Sequence, residues 1–204
     1  MDSYEPTSRT MVRRLPNRAS YDRDMVHAIL DEGFVAHVGL STDLGPRVLP
    51  MMYVRFGGSL FIHGAAANQL LRTACTGVEV CAVVTLLDGL VLARSAFHHS
   101  MNYRSAVIYG VATKVTDAAR KRAALDALVE RVRTGRSAEA RSPTDEELRA
   151  TLVLELPLVE VSAKVRTGDP LDDEDDLSLP VWAGVIPLRL VAGQPVPAAD
   201  LRLG

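Results

Sequence analysis

Apolar residues change their spacing several times along the chain, and each change marks an element. After a polar, proline-containing start, Met25, Val26, Ile29 and Leu30 fall at helical spacing. Ser20 stands where a cap is needed, Asp22 and Asp24 occupy the first turn, and Gly33 ends the pattern, which predicts a short amphipathic helix. Phe34 to Leu40, FVAHVGL, then reads as a buried strand, and Asp43-Leu44-Gly45-Pro46 as a turn. His37 inside that run reads as a core or interface histidine held by a neighbour rather than as a catalytic one. From Arg47 to His63 two extended segments are broken by Gly57-Gly58, which predicts a hairpin. Small residues, Gly64-Ala65-Ala66-Ala67-Asn68, lead from it into a helical run containing Arg72.

Further on, Val78 to Leu86 and Leu90 to Phe97 are largely apolar, with Asp88-Gly89 between them, and predict a second hairpin. His98 to Ser105, HHSMNYRS, interrupts the apolar pattern with hydrogen-bonding side chains, and strand character resumes from Ala106 to about Val115. Leu125, Leu128, Val129 and Val132 recur at i, i+3, i+4 and i+7 within 117–133, which predicts a helix burying one face. Thr144 and Glu147 match a capping box for another short helix. Thr151 to Val165 is strand-like and interrupted near Pro157, and Pro180 to Leu190 supplies the last strand. Strands joined by hairpin-type turns, without regular helix alternation, point to an antiparallel barrel with peripheral helices rather than a doubly wound parallel sheet. The chain divides into an extended arm over 1–19, one domain over 20–190 and a tail over 191–204.

With 204 residues the chain is long enough to bury a core without disulfide or metal staples. Its 23 basic and 25 acidic residues leave a formal charge of -2, so no basic field draws in nucleic acid. Arg13 and Arg14 are followed by no apolar stretch, which speaks against a signal peptide or membrane anchor and makes the cytoplasm the expected compartment. Cys75 and Cys81 match neither a redox CxxC pair nor a zinc knuckle and read as two small buried thiols. The six acidic residues within 169–176 lack calcium-loop spacing and read as a solvated surface run. No metal is expected.

Two polar clusters remain for chemistry. The small-residue junction before the second helix suits an anion, since a helix start carries unpaired N–H groups and Arg72 adds a full charge. A strand–turn–helix connection with no ligand has the same pattern, and spacing alone leaves both open. In the second cluster His98 and His99 are adjacent, so on an extended backbone they face opposite sides and do not bind one metal together. Either is a weak catalytic candidate. No Ser-His-Asp arrangement, phosphate loop or paired-carboxylate motif is present.

As a set, RASYDRDMVHAILDEGFVAHVGL, LPMMYVRFGGSLFIHGAAANQLLR, VLARSAFHHSMNYRSAVIYGVATKV and LPVWAGVIPL resemble the flavin-binding split-barrel superfamily that contains pyridoxamine 5'-phosphate oxidase. Within it they look most like the flavin-nucleotide-binding proteins related to nitroimidazole-resistance reductases. The resemblance implies a mainly β fold with peripheral helices: a six-stranded antiparallel split β-barrel, homodimeric, with FMN in clefts at the interface. It implies that Pro50, Met51, Met52 and Tyr53 border the isoalloxazine ring, and that His63, Asn68 and Arg72 hold the phosphate. Asn102, Tyr103, Arg104 and Ser105 would meet the flavin from the other subunit, and Trp182 would wall the substrate pocket. The implied activity is a flavin-dependent oxidoreductase, nitroreductase-like or a general flavin reductase, acting on a small molecule. Three alternatives stay open: deazaflavin F420 in place of FMN, a haem-binding or haem-degrading protein using His37, His63, His98 or His99, and a non-enzymatic flavin carrier or sensor. The chain departs from many relatives by having Asn68-Gln69-Leu70 where they carry Gly/Ser-Arg-Lys, and Trp182 is followed by Ala183-Gly184 rather than by the arginine-rich motif of vitamin B6 oxidases.

Overall fold

A computed structural model describes residues 2–200. In chain order the elements are β1 (Ala19–Ser20), α1 (Arg23–Glu32), β2 (Val35–Thr42), β3 (Gly45–Phe56), β4 (Ser59–Ala65), α2 (Gln69–Ala74), β5 (Glu79–Leu92) and β6 (Ser100–Val111). They continue with β7 (Thr113–Lys114), α3 (Ala118–Val132), α4 (Arg136–Glu139), α5 (Asp145–Ala150), β8 (Thr151–Pro157), β9 (Glu160–Arg166) and β10 (Gly184–Pro187). Two compact units result: the chain up to Leu86 with Tyr103–Thr167, and Leu87–Asn102 with the chain from Gly168 onward. No helix among the described residues is long and apolar enough to cross a membrane.

The sheet runs β1-β9-β6-β5-β2-β3-β4-β8-β7, with β10 paired to β5. Neighbours are antiparallel, as in Val35↔Met52 through Thr42↔Gly45 and Ser59↔Pro157 through Ala65↔Thr151. The mainly β, antiparallel expectation holds, while the strand count is ten rather than six. Three of the ten are short: β1 and β7 have two residues each and β10 has four.

Side chains alternate along the strands and divide the first unit's core in two. Leu60 and Ile62 of β4 join Ile29, Leu30, Tyr53, Leu71, Ile108 and Leu154 in the larger cluster. Phe61, between them, turns the other way and packs with Val54, Val153, Ala124 and Leu128. Strand β4 is therefore covered on both faces, and α3 is the cover on the second. Lys121 fixes that helix by donating to the Leu148 and Thr151 carbonyls at 2.5 and 2.6 Å. Arg131, near its end, donates to the Leu30 and Gly33 carbonyls at the C-terminus of α1. The capping box of α5 is present, with Thr144 Oγ1 accepting from Glu147 N–H and the Glu147 carboxylate accepting from Thr144 N–H.

Several sequence expectations are corrected. The N-cap of α1 is Asp22, whose carboxylate accepts from Met25 N–H at 2.9 Å, while Ser20 belongs to β1 and pairs with Ala163. Asp88-Gly89 is not a turn, because β5 runs straight through it. Within the second unit Gly89 pairs with Pro187, and a Cβ there would lie 2.9 Å from a Val185 methyl and 3.1 Å from the Ile186 carbonyl oxygen. The glycine marks a close backbone approach rather than a reversal. Strand structure resumes at Ser100 instead of Ala106, and the break near Pro157 separates two strands. The acidic run is not wholly solvated, since the Asp172 side chain is 1% exposed and ion-paired with Arg94 at 2.9 Å. Both cysteines are free and half-buried.

Tyr53 is fully buried and its hydroxyl donates to the Leu30 carbonyl at 2.7 Å. Tyr53→Phe is expected to cost about 1 kcal/mol, a fall of roughly 2–4 °C in Tm, because Arg131 still donates to the same carbonyl. Thermal unfolding checks this, and a loss several times larger contradicts it.

Candidate functional site

Two cavities of the first unit are lined by residues singled out in the sequence. The larger, about 810 Å³, lies between the β2–β3 turn and α2. Leu70, Leu71 and Ala74 of α2 face the core, which leaves Gln69, Arg72 and Thr73 on its outer side. With Ser41, Thr42, Asp43 and Thr76 they line a polar cleft. Asn68 caps the helix by accepting from Leu71 N–H at 3.2 Å, so its side-chain oxygen is already engaged. Gly64 is small for packing reasons, since a Cβ would meet a Leu71 methyl at 2.8 Å. The helix has only six residues, so the Arg72 side chain, rather than a helix dipole, dominates the local positive charge. Arg72 is exposed, lines this cleft and is held by no carboxylate among the described residues.

The second cavity, about 390 Å³, opens beneath α3. Its walls are Met52, His63, Leu125, Leu128, Val129 and Val132, with Arg141, Pro143, Glu147 and Thr151 at the polar side. Of the α3 apolar stripe only Ala124 and Leu128 are buried, and Val132 is 65% exposed. His63 Nδ1 is shut off from solvent and has no hydrogen-bond partner. A buried, unpaired polar group of this kind costs about 1–3 kcal/mol unless something outside the chain satisfies it. Burial holds the imidazole below its ordinary pKa, so the ring is neutral at physiological pH. Arg141 and Glu147 form a two-pronged ion pair at 2.7 and 3.0 Å, and the hydrogen bonds from Arg141 bring the Glu147 carboxyl down to about 2.

The structure distributes the residues singled out in the sequence. Met52 and His63 share the cavity under α3, whereas Arg72 lines the other one. Met51 and Tyr53 point into the core, and burial pushes the Tyr53 phenol well above its usual range. Pro50 pairs with an exposed His37 on the outer face of β2 and β3. Tyr103 is half-buried and pairs with Arg166, and Arg104 forms a bidentate ion pair with Glu32 at 2.5 and 2.8 Å. Ser105 donates to the Lys164 carbonyl at 3.3 Å. In the second unit Asn102 is buried and donates to the Gly168 carbonyl at 3.1 Å. There His98 contacts Asp173 at 3.1 Å, His99 Nδ1 contacts the Ser95 carbonyl at 3.0 Å, and Trp182 is largely exposed. No group of three or more His, Cys, Asp or Glu side chains among the described residues is placed to hold a metal ion. Sequence reasoning missed Ser41, Thr73 and Thr76, whose hydroxyls carry no spacing signal. It assigned Leu125, Val129 and Val132 to core packing, although their helical stripe was visible.

A family model described as pyridoxamine 5'-phosphate oxidase matches residues 22–165. Among solved structures, the flavocytochrome Anf3 from Azotobacter vinelandii is 40% identical, with TM-score 0.91 over 97% of this chain and 92% of its own. The FAD and heme binding protein from Mycobacterium smegmatis is 39% identical, with TM-score 0.87 over 92% of each chain. A structure assigned to 5-nitroimidazole antibiotic resistance in Bacteroides thetaiotaomicron shares the fold at 23% identity and TM-score 0.61, over 72% of this chain and 86% of its own. No curated protein gives a significant match.

The depressed imidazole pKa of His63 has a pH signature. Unfolded histidine titrates near pH 6.5, so below that value the unfolded chain binds a proton that the native chain resists. This contribution is present above about pH 6.5 and is lost as pH falls through the lower native value. His27, also lowered by burial, acts in the same direction. Tm is expected to fall between about pH 7 and about pH 5, and less so in His63→Gln. Equal falls in the two proteins would remove His63 as a source.

Proposed function

The chain belongs to the pyridoxamine 5'-phosphate oxidase family, and from that premise we propose that it binds a flavin nucleotide and works as a flavin-dependent oxidoreductase on a small molecule. The observation that carries this is Arg72, an exposed guanidinium with no carboxylate partner among the described residues, on a cleft bordered by the Ser41, Thr73 and Thr76 hydroxyls. A flavin phosphate answers that charge and Ser41 can donate to one of its oxygens, while the Thr73 and Thr76 hydroxyls already donate to the Gln69 and Thr73 carbonyls at 3.0 and 2.8 Å. The two relatives that align with nearly the whole chain are a flavocytochrome and an FAD and heme binding protein, which supports a flavin here. The flavin supplies hydride or electron transfer, and the chain contributes binding, orientation and exclusion of water. On this reading Pro50 and Met52 of β3 border the ring. The exposed apolar face of β2 and β3, with Val35 at 45% and Val48 at 61%, meets a second copy of the chain.

Haem binding is a second reading, favoured by the unpartnered His63 imidazole in its apolar cavity and by the haem in the name of the mycobacterial relative.

Purified protein is expected to be yellow, with mass spectrometry of the released ligand separating FMN, FAD and deazaflavin. Arg72→Ala is expected to weaken flavin binding about tenfold or more, roughly 1.4 kcal/mol, with Tm unchanged. Equal loss of folding and binding would make Arg72 a structural residue. A colourless protein that takes up neither FMN nor FAD at micromolar concentration sinks the flavin assignment. NAD(P)H-dependent reduction of the bound flavin separates an oxidoreductase from a carrier or sensor.

A further inference from the structure

We infer that the N-terminal arm is an acid-released strap, latched where the Tyr4 hydroxyl meets the His27 imidazole on α1. The arm lies on the first unit along its length. Ser3 bridges to Asp22, Tyr4 N–H donates to the Tyr21 carbonyl at 2.8 Å, and Arg23 N–H donates to the Asp2 carbonyl at 3.0 Å. Tyr4 is buried in the larger core cluster, and Thr10 is buried as well. Further along, Arg9 pairs with Glu79 of β5 and Glu160 of β9, and its guanidinium lies over the Tyr109 ring of β6 at 5.3 Å. Tyr21 Oη donates to the Thr10 carbonyl at 3.1 Å. One end of the arm is thus fastened to α1 and the other to three strands.

Acid acts differently on the two ends. Hydrogen bonds from Arg9 hold the Glu160 carboxyl below its usual range, so that end keeps its charges well below neutral pH. At the other end Tyr4 Oη lies 3.1 Å from His27 Nε2, and the Arg23 guanidinium sits 4.3 Å over the Tyr4 ring. The charged groups facing His27 are Arg23, Asp24 and Asp31 of α1 and Arg55 of β3, with Asp2 of the arm beyond Tyr4. Arg23 and Arg55 already hold Asp2 and Asp31, so an imidazolium is a third cation in a place that the docked arm shields from water. Burial first, and then the Arg55 charge, keep His27 below its ordinary value, with Asp31 opposing them. Tyr4 supplies no compensating anion, because burial raises its phenol and keeps it neutral. A lifted arm returns the imidazole to water, where it titrates near pH 6.5. Docking is therefore at full strength above about pH 6.5 and weakens as pH falls through the lower docked value.

The test is hydrogen exchange of the full-length protein at about pH 7.5 and about pH 5.5, on either side of the free histidine value, read by mass spectrometry and corrected for intrinsic rates. Peptides covering residues 2–12 should lose protection about threefold or more at the lower pH, while peptides from β4 stay protected. His27→Gln keeps a neutral hydrogen-bonding side chain and should hold the arm equally protected at both. Tyr4→Ala should leave the arm unprotected at both, again with β4 unaffected. Proton NMR gives a second measurement: the His27 ring should titrate at lower pH in wild type than in Tyr4→Ala. Equal arm protection at the two pH values in wild type, or an equal loss in His27→Gln, overturns the strap. Loss of β4 protection together with the arm overturns it too, since the whole unit is then opening. Identical His27 titration in wild type and Tyr4→Ala overturns the latch even where His27→Gln fails to fold.

Discussion

Strand β4 is buried on both faces, and the organisation of the first unit follows from that. A strand with one wet face needs only half its side chains to be apolar, whereas Ser59-Leu60-Phe61-Ile62 presents a continuous buried run. Leu60 and Ile62 close the larger core, and Phe61 requires a cover of its own. Helix α3 is that cover, and its position is set by hydrogen bonds at two points: Lys121 holds the last turn of α5 and the start of β8, and Arg131 holds the end of α1. Because both anchors are side-chain donors on backbone carbonyls, the helix is held at a distance from the sheet that packing around Phe61 alone would not fix. Where Phe61 ends and His63 begins, sheet and helix part and the second cavity opens.

The same alternation separates the two sites. His63 and Gly64 are adjacent, so their side chains leave β4 on opposite faces. Gly64 allows α2 to approach until Leu71 fills the space above it, and that approach turns Arg72 outward over the polar cleft. His63 turns instead toward Met52 and α3. A resemblance that places His63, Asn68 and Arg72 around one phosphate treats them as neighbours in sequence, and pleating makes them neighbours of different cavities. Asn68 is further withdrawn because its side-chain oxygen already caps the helix.

Much of this was legible in the residues. The Gly57-Gly58 hairpin, the Thr144–Glu147 capping box and the helix over α3 were all local signals, and local signals survive folding when no distant strand competes with them. What escaped were features decided by partners far along the chain. Asp88-Gly89 has turn composition, yet β10, almost a hundred residues later, lies across it and makes the glycine a packing necessity. The acidic run looked solvated because repulsion among like charges was the only force visible in the sequence. Burial raises the Asp172 carboxyl and hydrogen bonds from Arg94 more than offset it, leaving it below the usual range. The cluster from His98 to Ser105 stood out as a group of polar side chains without visible partners for the same reason. Its partners, Asp173, Glu32, Lys164 and Gly168, are distant in sequence, and each engages one of its polar groups.

Satisfaction of polar groups is therefore the rule in this chain, and it gives the exceptions their meaning. Four buried side-chain nitrogens lack a hydrogen-bond partner among the described residues: Arg23 Nε, Arg94 Nε, Arg131 Nε and His63 Nδ1. Of the first three, Arg23 Nε lies 2.9 Å from an Asp2 carboxylate oxygen, an ion-pair contact, and the Arg94 and Arg131 guanidinium groups are engaged through their other nitrogens by Asp172 and by two backbone carbonyls. A guanidinium distributes one charge over three nitrogens, so leaving one idle costs little when the others are bonded. An imidazole has only two, and the chain offers neither of His63's a partner. Among the described residues, His63 is thus a half-buried imidazole whose shielded nitrogen has no partner in the chain.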